Sequence, residues 1–128
     1  MCIRDSRSCE TEIAGTSGPD KLTGSKGGDQ IKGYKGGDQI YALGGEDCLF
    51  GGPGADTVSG NDGPDTVRGN DAADILRGGN GGDTLLGGTG NDKLRAVAGN
   101  DLLKGGPGTD DMSGAKEPTS SAAAAATT

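Results

Sequence analysis

Gly51-Gly52-Pro53-Gly54-Ala55-Asp56-Thr57-Val58-Ser59 is one statement of a nine-residue phrase that runs eleven times, without a slip, from Gly15 to Ser113. Written G-G-x-G-x-D-x-U-x, with U a large apolar residue, its sixth place is Asp20, Asp29, Asp38, Asp47, Asp56, Asp65, Asp74, Asp83, Asp92, Asp101 and Asp110. Its eighth place is Leu22, Ile31, Ile40, Leu49, Val58, Val67, Leu76, Leu85, Leu94, Leu103 and Met112. Glycine holds the fourth place except at Ala72, and the first except at Ala42 and Ala96. A fixed short period outranks other signals, because each repeat is a small unit that can bury its apolar face only against its neighbours.

Each phrase divides in two. Its first six residues are turn-forming, with glycine supplying positive φ and close backbone approach. Its last three, such as Thr57-Val58-Ser59, make a minimal strand whose middle side chain points one way and whose flanking side chains point the other. So short a strand does not persist alone but can stack on copies of itself. The expected fold is therefore all-β, a parallel β-solenoid with two nonapeptides per coil. Odd repeats line one sheet, even repeats the other, and the eighth-place side chains meet between them. Residues 1–14 are read as a disordered or non-native leader, 15–113 as the array, and 114–128 as a disordered linker or truncated tail.

Composition explains why such a stack needs help. Of 128 residues, 28 are glycine, only 30 % are hydrophobic and 2 % aromatic, a balance that without the strict phase would describe a disordered chain. One apolar side chain per nine residues is little to set against the entropy of ordering a glycine-rich backbone. The net charge is −7, and 11 of the 15 aspartates stand at the sixth place, so stacking lines like charges up in columns. Something must neutralise those columns. A divalent cation is the simplest candidate.

Calcium takes six to eight oxygen ligands, and carbonyls serve it as well as carboxylates. A glycine-rich turn exposes its carbonyls, and the aspartate that closes the turn adds a charged oxygen. One edge of the roll would carry Asp20, Asp38, Asp56, Asp74, Asp92 and Asp110; the other would carry Asp29, Asp47, Asp65, Asp83 and Asp101. Neighbouring pairs give five sites and four, hence up to about nine Ca2+ ions, with turn carbonyls such as those of Gly51, Gly54, Gly78, Gly81, Gly87, Gly90, Gly105 and Gly108 as further ligands. The turns interrupted by Ala72, Ala42 and Ala96 are expected to make the sites at Asp74, Asp47 and Asp101 the weakest.

The phrases Gly51–Ser59, Gly78–Leu86, Gly87–Arg95 and Gly105–Ser113 closely resemble the RTX (repeats-in-toxin) calcium-binding nonapeptide, the haemolysin-type repeat, and the likeness spans 99 of the 128 residues. That resemblance implies a right-handed parallel β-roll with calcium between successive turns, and passage, unfolded, through type I secretion machinery of a Gram-negative bacterium. It also implies folding outside the cell and an extracellular or cell-surface location. Such arrays accompany metalloproteases, lipases, alginate epimerases, cytolysins and adhesins, so a parent protein with further domains is expected, or else an adhesive structural solenoid.

Other chemistry fails on inventory. With no histidine in the chain, a histidine-zinc protease and a serine–histidine triad are both excluded, and no GxSxG, phosphate loop or EF-hand loop occurs. The array is therefore expected to be non-catalytic. An acidic ladder is a poor partner for nucleic acid, and no apolar run of 18 residues exists to span a membrane. Cys2, Cys9 and Cys48 form no metal spacing. They are read as free thiols, unless Cys2 and Cys9 join in an oxidising compartment, with Cys48 pointing outward unpartnered. Phe50, Leu86 and Leu102 fall together on the outer face of one sheet.

Overall fold

The computed structural model describes residues 11–97, 99–113 and 119–122. Thirteen strands among these residues wind as a parallel β-solenoid of about six turns. β1 (Thr11–Ala14), β3 (Asp29–Lys32), β5 (Cys48–Gly52), β7 (Thr66–Asn70), β9 (Thr84–Gly88), β11 (Asp101–Lys104) and β13 (Thr119–Ala122) form one sheet in that order. β2 (Lys21–Thr23), β4 (Gln39–Tyr41), β6 (Thr57–Asp62), β8 (Ile75–Asn80), β10 (Lys93–Arg95) and β12 (Asp111–Ser113) form the second. Every pairing is parallel and displaced by 18 residues, as two phrases per coil demand: Leu49 lies beside Val67, and Val58 beside Leu76. Seven rungs at about 4.8 Å give a stack about 29 Å tall.

Between the sheets, Ile31, Ile40, Leu49, Val58, Val67, Leu76, Leu85, Leu94 and Leu103 are fully buried. Leu22 and Met112, near the ends of the stack, are only partly covered, because each lacks a rung on one side. Ala42 and Ala96, where the phrase loses its first glycine, join the same core.

Three features depart from the sequence expectation. Thr11–Ala14, placed in the leader, is a strand in register with β3, with Ile13 beside Ile31. Counting back nine from Leu22 lands on Ile13, so the apolar place persists where the glycines and the aspartate have already gone. Thr119–Ala122, placed in the tail, pairs with β11, and Asp101 faces Thr119 in that register. The remainder of both flanks lies outside the described residues. Cys48 is fully buried and disulfide-bonded rather than an outward free thiol; Cys2 and Cys9 lie outside the described residues.

Candidate metal centre

Two backbone positions in each turn set the site. The fourth-place residue is left-handed through most of the array, for example Gly54 (φ 116°), Gly81 (φ 110°) and Gly108 (φ 116°), and Ala72 is forced into the same region (φ 77°). The second place is left-handed too, at Tyr34, Leu43, Asn61 and Asn70 as well as at Gly52, Gly79, Gly88 and Gly106. Left-handed residues at these alternate places bring each turn's backbone close against the carbonyls of the coil before it. A Cβ on Gly81 would lie 2.5 Å from the carbonyl oxygen of Gly63, one coil earlier, and a Cβ on Gly90 would lie 2.5 Å from that of Ala72.

First-place glycine has a different reason. A Cβ on Gly87 would lie 2.5 Å from Oδ2 of Asp92, in its own phrase, and 2.8 Å from the carbonyl oxygen of Gly105, in the next coil. Gly33, Gly51 and Gly69 show the same pair of oxygens around the same point, from Asp38 and Gly51, Asp56 and Gly69, and Asp74 and Gly87 respectively. One charged and one neutral hard oxygen thus converge beside each of these glycines.

The aspartates are buried from Asp29 to Asp110, and Asp20 is half-buried. From Asp38 onward, each ladder carboxylate reaches back one coil. Oδ1 of Asp38 accepts the backbone N–H of Asp20 at 2.8 Å, and the pattern repeats up both edges to Asp110 at 2.7–3.0 Å. The same residues tie the coils forward, since the carbonyl of Asp56 accepts the N–H of Ile75 at 2.8 Å and that of Asp65 accepts the N–H of Thr84 at 2.8 Å.

One oxygen per carboxylate is therefore used by the backbone. The other is the informative one. Oδ2 of Asp38, Asp47, Asp56, Asp65, Asp74, Asp83, Asp92, Asp101 and Asp110 is buried without a hydrogen-bond partner. A buried charged oxygen left unpaired is costly, and here nine of them recur in register along two edges. Burial pushes Asp74 up to about 8 and Asp83 up to about 7; the hydrogen bond each carboxylate accepts from the coil below pulls partly back, and neighbouring carboxylates push further up. Asp56 and Asp92 reach about 6 for the same leading reason, and Asp38, Asp47 and Asp65 are raised as well. In the bare stack these carboxylates compete for protons near neutral pH, which is the signature of sites short of positive charge.

Asp20 and Asp29 differ. Oδ2 of Asp20 accepts the backbone N–H of Thr16 at 2.6 Å, and the Thr16 hydroxyl donates to the same carboxylate at 3.0 Å. Ser25 does the same for Asp29, at 2.6 Å and 3.1 Å. Each hydroxyl also accepts the N–H two residues on, from Gly18 or Gly27, at 3.2 Å. The first turn on each edge is thereby closed by its own side chains. Sequence reasoning gave Asp20 and Asp29 the same metal-ligand role as the other ladder aspartates. The signal it passed over was a serine or threonine four places before the aspartate, found only in these two repeats; there it offers the backbone a local bond.

The donor set, a carboxylate oxygen with a backbone carbonyl oxygen beside it and no sulfur or imidazole, fits a hard cation such as calcium. No group of three or more acidic, histidine or cysteine side chains gathers among the described residues. The carboxylates are instead distributed singly along the turns.

A parallel β-roll with a repeating carboxylate–carbonyl edge defines a class of calcium-binding solenoids. The family profile described as the RTX calcium-binding nonapeptide repeat (4 copies) matches residues 14–49, 50–85 and 86–116, and the chain belongs to that family. No curated protein and no solved structure matches it.

Proposed function

We propose that this chain is a calcium-dependent folding module that takes up to nine Ca2+ ions, one for each buried carboxylate oxygen left without a partner. Asp38, Asp56, Asp74, Asp92 and Asp110 hold the ions of one edge; Asp47, Asp65, Asp83 and Asp101 hold those of the other. First- and fourth-place carbonyls, such as those of Gly51, Gly87 and Gly105 and of Gly81 and Gly90, complete each shell. Asp20 and Asp29 close the first turns through Thr16 and Ser25. Bound calcium supplies the positive charge that lets buried carboxylates stack. The chain's own part is to fix Oδ1 by a backbone N–H, leaving Oδ2 free for metal.

Metal binding and folding are then one event, because the pairs of turns that make a site exist only in the stack. The chain leaves a bacterial cell unfolded, through type I secretion machinery, and folds outside, where calcium is plentiful. It works there as the module of a larger secreted enzyme, cytolysin or adhesin. The nine orphaned oxygens carry the calcium reading, and the family membership supports the secretion reading. Far-ultraviolet circular dichroism during a calcium titration tests it. The β signal is expected to rise cooperatively at millimolar calcium and not with equal magnesium, which demands a stricter octahedral shell. A chain equally structured in chelator, or unresponsive to calcium, would defeat the proposal.

A further inference from the structure

Charge is segregated on this roll. The buried aspartates line the turn edges, whereas the outward seventh and ninth places of the two sheets carry Lys21, Lys32, Arg68, Arg77, Lys93, Arg95 and Lys104, against Glu12 and Asp111 among the described residues. The two faces are unlike. On the first sheet the cations are spaced apart: Arg68 lies between Phe50 and Leu86 in the register, and its guanidinium sits over the Phe50 ring, 5.9 Å from the centroid. On the second sheet Arg77 and Arg95 are direct partners on β8 and β10, both exposed, and Lys93 lies two residues from Arg95 on the same face. Serines flank the arginine pair on either side, Ser59 on β6 and Ser113 on β12. The pairing puts one carboxylate beside this cluster among the described residues, Asp111 next to Lys93.

Like charges directly opposite on neighbouring strands work against the sheet. Arginines held side by side on a flat face are well suited to carboxylate, sulfate or phosphate groups, which their planar forks can grip in two bonds. Arg77 and Arg95 follow one another along the axis of the stack, and Lys93 stands beside Arg95 on the same rung, so a chain of anionic groups laid over this face can engage all three.

We propose that the outer face of β8 and β10, through Arg77, Arg95 and Lys93, binds a linear polyanionic glycan, and that calcium gates this binding. The gate rests on the calcium reading above. Arg77 and Arg95 are 18 residues apart in sequence and become neighbours only when the coils stack. In addition, nine divalent ions, each adding two charges, carry the formal charge from −7 to +11, turning a polyanion-repelling chain into an attracting one.

Dextran sulfate and hyaluronate, as sulfate and carboxylate probes, would be titrated against the full chain in calcium and in chelator. Binding is expected in calcium, at least tenfold weaker in chelator, and falling steeply with added salt. The double variant R77S/R95S should bind at least fivefold more weakly with its calcium-induced circular dichroism unchanged, while R68S on the opposite face should bind like the parent. Vesicles rich in phosphatidylglycerol provide the competing occupant. Binding to vesicles but not to the polymers overturns the proposal, as does a double variant that binds like the parent or a parent that binds equally in chelator. A chain that gains β signal in calcium yet ignores both polymers sinks this inference alone; one that gains no β signal sinks the calcium reading and the gate with it.

Discussion

Replacing Gly81 by alanine should damage the roll far more than one methyl group suggests. Gly81 sits at φ 110°, where an L side chain is strained, and its Cβ would lie 2.5 Å from the carbonyl oxygen of Gly63, 2.6 Å from the carbonyl carbon and 3.2 Å from the nitrogen of Pro64. All three atoms are backbone, so no side chain can swing aside. The left-handed conformation costs about 1–2 kcal/mol, and forcing a methyl into packed backbone about 1–3 kcal/mol more. Alanine also stiffens the unfolded chain, which returns up to about 1 kcal/mol. The net destabilisation is about 1–5 kcal/mol.

How that is measured matters. If nine ions bind together with folding, about 3 kcal/mol spread over nine binding steps moves the calcium midpoint by less than about twofold. Thermal unfolding in saturating calcium is the sharper assay. At about 4–8 °C per kcal/mol for an array of this size, G81A should melt at least about 4 °C below the parent. The reciprocal change, Ala72→Gly, relieves a φ of 77° and should raise the melting temperature. Indistinguishable melting of G81A and parent would refute the turn geometry on which the carbonyl ligands depend.

Further expectations are as direct. Asp83→Asn keeps an oxygen for the backbone N–H of Asp65 but removes a charge, so calorimetry should count one calcium fewer while the chelated chain becomes less averse to folding. Burial raises the folded-state values of Asp56, Asp74, Asp83 and Asp92 to between about 6 and about 8. Protons therefore stabilise the metal-free stack: that contribution is complete below about pH 4 and is lost as pH rises through 6 to 8. In chelator, circular dichroism should show most β structure on the acid side of that window, and calcium affinity should climb across it as the protons leave. Leu76→Ala empties a fully buried position and should cost about 2–5 kcal/mol by denaturant unfolding in calcium. Leu22→Ala, at a partly covered end of the core, should cost clearly less.

Much of this was legible in the sequence because a nonapeptide with one aspartate and one apolar residue fixes phase, and phase fixes which residues face which. The 18-residue pairing, the split of odd and even phrases between sheets and the core from Ile31 to Leu103 all follow from it. Local chemistry without a period did not show. The strand at Thr11–Ala14 keeps only Ile13 of the phrase, so no count of glycines or aspartates could find it. Thr16 and Ser25 look like two more variable second-place residues, and only the folded turn reveals their hydroxyls and N–H groups on Asp20 and Asp29. Cys48 stands at an outward place by phase, yet is buried and disulfide-bonded, and a nine-residue phase carries no signal for a disulfide. The division of labour between Oδ1 and Oδ2 needed atoms as well. Spacing told that the carboxylates stack, but not that the backbone claims one oxygen of each.

Small-angle X-ray scattering in chelator and again after calcium is restored tests the central claim most directly. A 128-residue chain that folds only around metal should contract from a radius of gyration near 37 Å toward about 14 Å on adding the ion, and expand again on its removal. The same compact radius in both solutions would mean that the coils hold together without calcium, and the account would be wrong.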